Sequence, residues 1–174
     1  MKNVYLDSAA TTKMRTEVIS KMTEVMQVYG NPSSTHTFGR TAKSLIENAR
    51  KTVANYLKVE AKEIVFTSGG TEADNLILNS AVRDLGVKRI ITSKIEHHAV
   101  LHCVDQLKDC FEVEVDYVNL DEFGSVDLQH LEQLLQQNDQ KTIVSLMHVN
   151  NEVGNILDIE KVGNLCHQYN ALFH

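Results

Sequence analysis

The sequence predicts an α/β fold, a mostly parallel sheet covered by helices. Three observations lead there. Short apolar, strand-like runs recur at Glu63–Phe66, Lys88–Ser93, Phe111–Val118, Thr142–Met147 and Ala171–His174. Between them lie segments whose apolar residues return every three or four positions. Polar clusters follow the runs, at Thr67–Asn75, Ser93–His98 and His148–Glu152. Alternating strand and helix at these lengths favours parallel pairing, because the crossover needs a helix. In such sheets ligands collect beyond the carboxyl ends of the strands, so three polar clusters at one edge are expected to share a pocket.

The elements follow in chain order. Val4–Asp7 is a short apolar segment running into the hydroxyl-rich loop Ser8–Thr12. Val18, Met22, Val25 and Tyr29 mark a helix that starts near Thr16, and the turn residues Gly30-Asn31-Pro32-Ser33-Ser34 stop it. A loop containing His36 leads to the clearest helix, whose face is Ala42, Leu45, Ile46, Ala49, Val53, Ala54 and Leu57. Glu63–Phe66 reads as the first core strand, and Ala73, Leu76, Ile77, Ala81, Val82 and Leu85 as the helix after it. Further helix faces are Val100, Cys103, Val104, Leu107; Leu128, Leu131, Leu134, Leu135; and Ile159, Val162, Cys166, Tyr169. The run Phe111–Val118 alternates apolar and polar, so it is read as a strand with one exposed face.

Composition narrows the class. The chain has 174 residues, 43% apolar and 23% charged, enough for one sizeable core. A formal charge of −6 and a pI near 5.7 argue against a nucleic-acid surface. No apolar run approaches the roughly 20 residues that span a bilayer, and the N-terminus turns polar too soon for a signal peptide, so no membrane contact and a cytoplasmic location are expected. The three cysteines, Cys103, Cys110 and Cys166, have neither metal-motif spacing nor an even count, and no metal site is expected from them.

The stretch Thr67-Ser68-Gly69-Gly70-Thr71-Glu72-Ala73-Asp74-Asn75 places a glycine turn before a helix start. Glycines let backbone approach a ligand closely, and the first N–H groups of a helix point at an anion. The local residues leave two readings open, a phosphate cradle and an ordinary capped helix. Glu72 and Asp74 fit the helix dipole in the first turn. His97 offers a flat ring with a near-neutral pKa, suited to moving protons, but is equally a helix-start residue facing solvent; His98 is its adjacent rival. Asn151 offers a neutral amide to an anionic oxygen, or caps a loop, and Asn150 is able to exchange roles with it. His36 and His148 are weaker candidates.

Five segments in register resemble the cysteine desulfurases: Leu6–Thr12, Gly30–Ser34 with His36 beyond, Phe66–Glu72, Glu96–Val100 and Met147–Gly154. These are pyridoxal-phosphate enzymes of the class V aminotransferase group, within fold-type I. The Asn150-Asn151-Glu152 form is similar to the branch serving iron–sulfur cluster assembly and nitrogenase maturation. The resemblance implies that Gly70 and Thr71 hold the cofactor phosphate, that His97 stacks on the pyridine ring and takes part in proton transfer, and that Asn151 reaches the phenolic oxygen or the substrate carboxylate. It implies conversion of L-cysteine to L-alanine, with the sulfur passed as a persulfide to an acceptor or scaffold protein for iron–sulfur or thio-cofactor assembly, by a homodimer when full length. Residues 1–15 are then an N-terminal arm, and 16–174 an incomplete cofactor-binding large domain. The family's Schiff-base lysine, pyridine-pairing aspartate, carboxylate-binding arginine and sulfur-accepting cysteine lie downstream, so this chain alone is expected to be inactive. Another class V enzyme (a selenocysteine lyase or aminotransferase) and a non-enzymatic phosphate-binding module stay open as alternatives.

Overall fold

A computed structural model describes residues 3–174. Four strands form one all-parallel sheet: β1 (Arg89–Thr92), β2 (Glu114–Tyr117), β3 (Thr142–Val144) and β4 (Leu172–Phe173), in the spatial order β2-β1-β3-β4. The register sets Ile90 beside Val115 and Ile143, and Ile143 beside Leu172. Helices α3 (Gly70–Arg83), α4 (His98–Phe111), α5 (Leu128–Gln136) and α6 (Ile159–Gln168) alternate with the strands.

Strand alternation divides the core into two layers. Ile90 and Ile143 point to one face and pack with Leu78 and Ala81 of α3 and Val100, Cys103, Val104 and Leu107 of α4. Their neighbours Ile91 and Val144 point to the other, against Leu131, Leu134 and Leu135 of α5 and Val162 and Cys166 of α6. Every residue of β1 and β3 is buried, which is why these strands read as near-continuous apolar runs. Each fully buried Leu or Ile stabilises the fold by about 1.5–3 kcal/mol through the area it removes from water.

One buried cation interrupts this core. Arg89 opens β1 and is fully buried; its Nε donates to Asp116 Oδ2 at 2.6 Å, Nη1 to the Leu134 carbonyl at 2.7 Å and Nη2 to Gln137 Oε1 at 3.1 Å. The guanidinium thus ties β1 to β2 and to the end of α5.

Residues up to Phe66 form a separate unit from Thr67–His174. It holds α1 (Thr16–Val25), α2 (Thr37–Leu57) and a short 3-10 turn, Ala61–Glu63. Gly39 is buried, and a Cβ there would meet the Ser34 carbonyl at 2.4 Å, so the Gly30–Ser34 turn closes on α2 only with glycine. His36 neither lines a pocket nor lies idle: its Nδ1 caps α2 by accepting from the Gly39 N–H at 3.4 Å.

Two sequence expectations are corrected. Glu63–Phe66 is not a core strand: Glu63 ends the 3-10 turn, Ile64 is extended, and Val65 and Phe66 are exposed. An extended segment becomes a strand only with a ladder partner, and the Ile64 carbonyl instead accepts from Arg50 of α2. The expected strand Phe111–Val118 is shorter, because α4 runs on to Phe111 and ends at Glu112 in the left-handed conformation (φ 53°).

Replacing Asp116 with Ala leaves the buried Arg89 charge without its carboxylate. The expected loss is about 2–4 kcal/mol, at or below the usual range for a broken buried pair because Asp116 is partly exposed and two other acceptors remain. A shift in the urea midpoint measures it.

Candidate functional site

Strand order reverses at β1: β2 lies on one side of it and β3 on the other. The carboxyl ends of β1 and β3 therefore border the crevice where open parallel sheets bind ligands. Both loops that leave this point are polar, and Glu96 joins them. Its side chain is buried; Oε1 accepts from Ser93 Oγ at 2.9 Å, and both carboxylate oxygens accept from the Met147 N–H, at 3.0 and 3.1 Å. Burial pushes its pKa up, against the lowering effect of these donors. Sequence reasoning assigned Glu96 nothing; an acidic residue just past a strand and before a histidine was the available signal.

His97 follows at the start of α4. Its Nδ1 accepts from the Ala99 N–H at 3.1 Å, a helix cap. With Nδ1 accepting, Nε2 carries the proton and is the nitrogen left for a ligand. His97 lines a groove with Thr71, Asn75, His98, His102 and Cys103, and also borders a hollow with Asp74, Glu96, Ser145, His148 and His174.

The glycine turn is built as a cradle. Gly69 precedes α3 in an extended conformation, and Gly70 and Thr71 open the helix. A Cβ added at Gly69 or Gly70 would meet nothing within 4 Å, so the space in front of the turn is open. The turn is held from behind: Glu72 Oε2 accepts from the Ser68 N–H at 2.6 Å, and the hydrogen bonds from Ser68 lower the Glu72 pKa. Thr67 Oγ1 donates to the Gly69 carbonyl at 3.1 Å. Glu72 is therefore a brace as well as a dipole partner.

The two adjacent asparagines are not equivalent. Asn150 is buried; Nδ2 donates to the Ile95 carbonyl at 3.0 Å, and Oδ1 accepts from the Glu152 and Val153 N–H groups at 2.9 and 3.0 Å. It is a loop anchor with no free amide. Asn151 is exposed, donates to Glu152 Oε1 at 3.1 Å and lies outside both hollows, apart from Gly70, Thr71 and His97. His148 does border the second hollow.

That hollow holds a polar chain that was not anticipated. Ser145 Oγ is 3.0 Å from His174 Nδ1, and Asp74 Oδ1 is 3.7 Å from His174 Nε2. Burial lowers the His174 pKa, and Asp74 opposes that in part. Cys103 and Cys166 are buried with thiol pKa values pushed up by burial, that of Cys166 to about 11, so neither is a ready thiolate; Cys110 is exposed.

Fold and site together define a parallel α/β ligand-binding domain with an anion cradle and a histidine at the switch point. The chain belongs to the aminotransferase class-V family, whose model matches residues 4–174. It is 42% identical over 177 residues to a cysteine desulfurase IscS of Methanosarcina thermophila, a match covering 99% of this chain and 43% of that protein. Among solved structures, a NifS-like protein superposes with a TM-score of 0.92 at 38% identity, over 99% of this chain and 48% of the other. SspA in complex with cysteine does so with a TM-score of 0.89 at 31% identity, over 98% and 49%. The chain thus spans a little under half the length of the relatives it matches.

Two outcomes follow from the geometry. Asn150→Ala should destabilise the fold by about 1–3 kcal/mol, since two buried N–H groups and a buried carbonyl lose their partner, whereas Asn151→Ala should stay within about 0.5 kcal/mol; denaturant melts compare them. A histidine whose folded pKa lies below its unfolded value gives stability above the unfolded value, near pH 6.5, and loses it as pH falls through the folded one. Wild type should therefore lose stability relative to His174→Asn on going from pH 7 to 5.

Proposed function

We propose that this chain supplies the phosphate-binding and ring-facing part of a pyridoxal-phosphate-dependent cysteine desulfurase. What carries the reading is the groove that Thr71 of the glycine turn shares with His97 at the point where strand order reverses. The family uses pyridoxal phosphate, and the turn suits its phosphate: open space before Gly69 and Gly70, a helix N-terminus behind, and a hydroxyl at Thr71.

Each residue then has a task. Gly70 and Thr71 donate backbone N–H groups to the phosphate, and Thr71 adds its hydroxyl. Their placement on a braced helix start fixes the anion without rearrangement on binding. His97 presents its ring face to the pyridine and its Nε2 to the proton that moves between substrate amine and cofactor carbon. Asn151 turns its amide from Glu152 toward the phenolic oxygen or the substrate carboxylate. Glu96 holds His97 in place by fixing the loop between β1 and α4. When bound, the cofactor supplies the electron sink that lets bonds at the substrate's α- and β-carbons rearrange.

The whole protein converts L-cysteine to L-alanine, in this reading, and passes sulfur as a persulfide to an acceptor or scaffold protein. It works as a homodimer in the cytoplasm. The observed features in keeping with that location are three unpaired cysteines and, among the described residues, no helix long and apolar enough to cross a membrane.

Thr71→Ala removes one donor to a dianion and should weaken pyridoxal-phosphate binding by about 1.5–3 kcal/mol, roughly 10- to 150-fold, read from cofactor fluorescence or from competition with inorganic phosphate. Unchanged affinity would sink the cradle. In the whole protein, His97→Ala should slow alanine release from cysteine by about 10²–10⁴-fold with little loss of stability. Cofactor binding without sulfide release would favour a class V enzyme of another specificity.

A further inference from the structure

We infer that His98 and His102 form a two-imidazole site for a divalent transition metal of the Zn²⁺, Cu²⁺ or Ni²⁺ type. They stand four residues apart on α4, so both project from one face a turn apart. Both are exposed. Their ring centroids are 5.3 Å apart and the planes are tilted by 39°.

This separation is what a shared ion asks for. With a metal–nitrogen distance of about 2.0–2.1 Å and about 1.1 Å from nitrogen to ring centre, each centroid lies roughly 3.2 Å from the ion, and a tetrahedral angle sets the two about 5.2 Å apart. The rings already stand at that spacing, so binding needs side-chain rotation but no movement of the helix.

The neighbouring groups define the site's limits. His97 is 6.4 Å from His98, and its Nδ1 already accepts from the Ala99 N–H, so it is not a third ligand. Cys103 borders the same groove, but burial holds it as a thiol. Among the described residues no set of three or more His, Cys, Asp or Glu is placed to hold a metal. Two imidazoles therefore bind the ion, and water fills its other positions. Nitrogen ligands without a carboxylate select Cu²⁺, Ni²⁺ and Zn²⁺ over Mg²⁺ and Ca²⁺. The start of a helix disfavours a cation, which keeps the affinity moderate. The groove also contains Thr71, so a bound ion faces the glycine turn.

Calorimetric titration of the chain with ZnCl₂, NiCl₂ and CuCl₂ tests this. One ion per chain is expected, tightest for Cu²⁺, with binding lost as pH falls below about 6.5 and the imidazoles protonate. His98→Gln and His102→Gln should each lower affinity about tenfold or more, the double variant little further, and His167→Gln, on α6, should change nothing. Equal binding by wild type and both single variants would overturn the site. Should a variant fail to fold, imidazole NMR of the unsubstituted chain decides: Zn²⁺ should shift the His98 and His102 ring signals first, and shifts confined to other histidines would overturn it.

Discussion

The polar edge of this domain depends on one buried carboxylate. Glu96 leaves the end of β1 and accepts the Met147 N–H beyond β3, so two loops that part in sequence for some fifty residues are fixed side by side (|i−j| = 51). Removing a carboxylate from water is unfavourable, and its raised pKa records that cost. The Ser93 hydroxyl and the Met147 amide offset part of it. The return is positional. His97 is the next residue, Asn150 anchors the other loop to the Ile95 carbonyl, and the crevice between β1 and β3 keeps one shape.

Much of the fold was legible because burial imposes a pattern. β1 and β3 are covered on both faces and read as apolar runs; α3 to α6 each carry one apolar stripe and read as helices. Strand order was not legible. Nothing local in Lys88–Ser93 says that β2 and β3 flank it on opposite sides, since that is settled by which helices cover which face. Glu63–Phe66 failed for a related reason. Its composition suits a strand, but a strand is made by a neighbour, and the Ile64 carbonyl takes Arg50 instead. Arg89 was read as a strand residue without a sign that it would be buried; its three partners come from 27 to 48 residues away.

The site was legible in its parts and less so in their arrangement. Thr71 and His97 do share a groove, and the glycine turn does open a helix. The two asparagines had interchangeable local chemistry; only the fold shows that Asn150 is consumed by four backbone and side-chain contacts while Asn151 stays free of them. Asp74, Ser145 and His174 come together from three elements, so no spacing rule could have paired them. Two histidines, His36 and His97, cap helices, a position where Ser, Thr, Asp and Asn are the usual choices.

The cap at His97 couples two processes that are ordinarily separate. The same ring nitrogen that stops α4 from fraying is one of the two that protons compete for. A proton on Nδ1 would release the Ala99 amide and loosen the first turn, so the helix favours Nε2 as the site of exchange. Solvent exchange at the Ala99 amide thus becomes a gauge of imidazole protonation, readable without substrate.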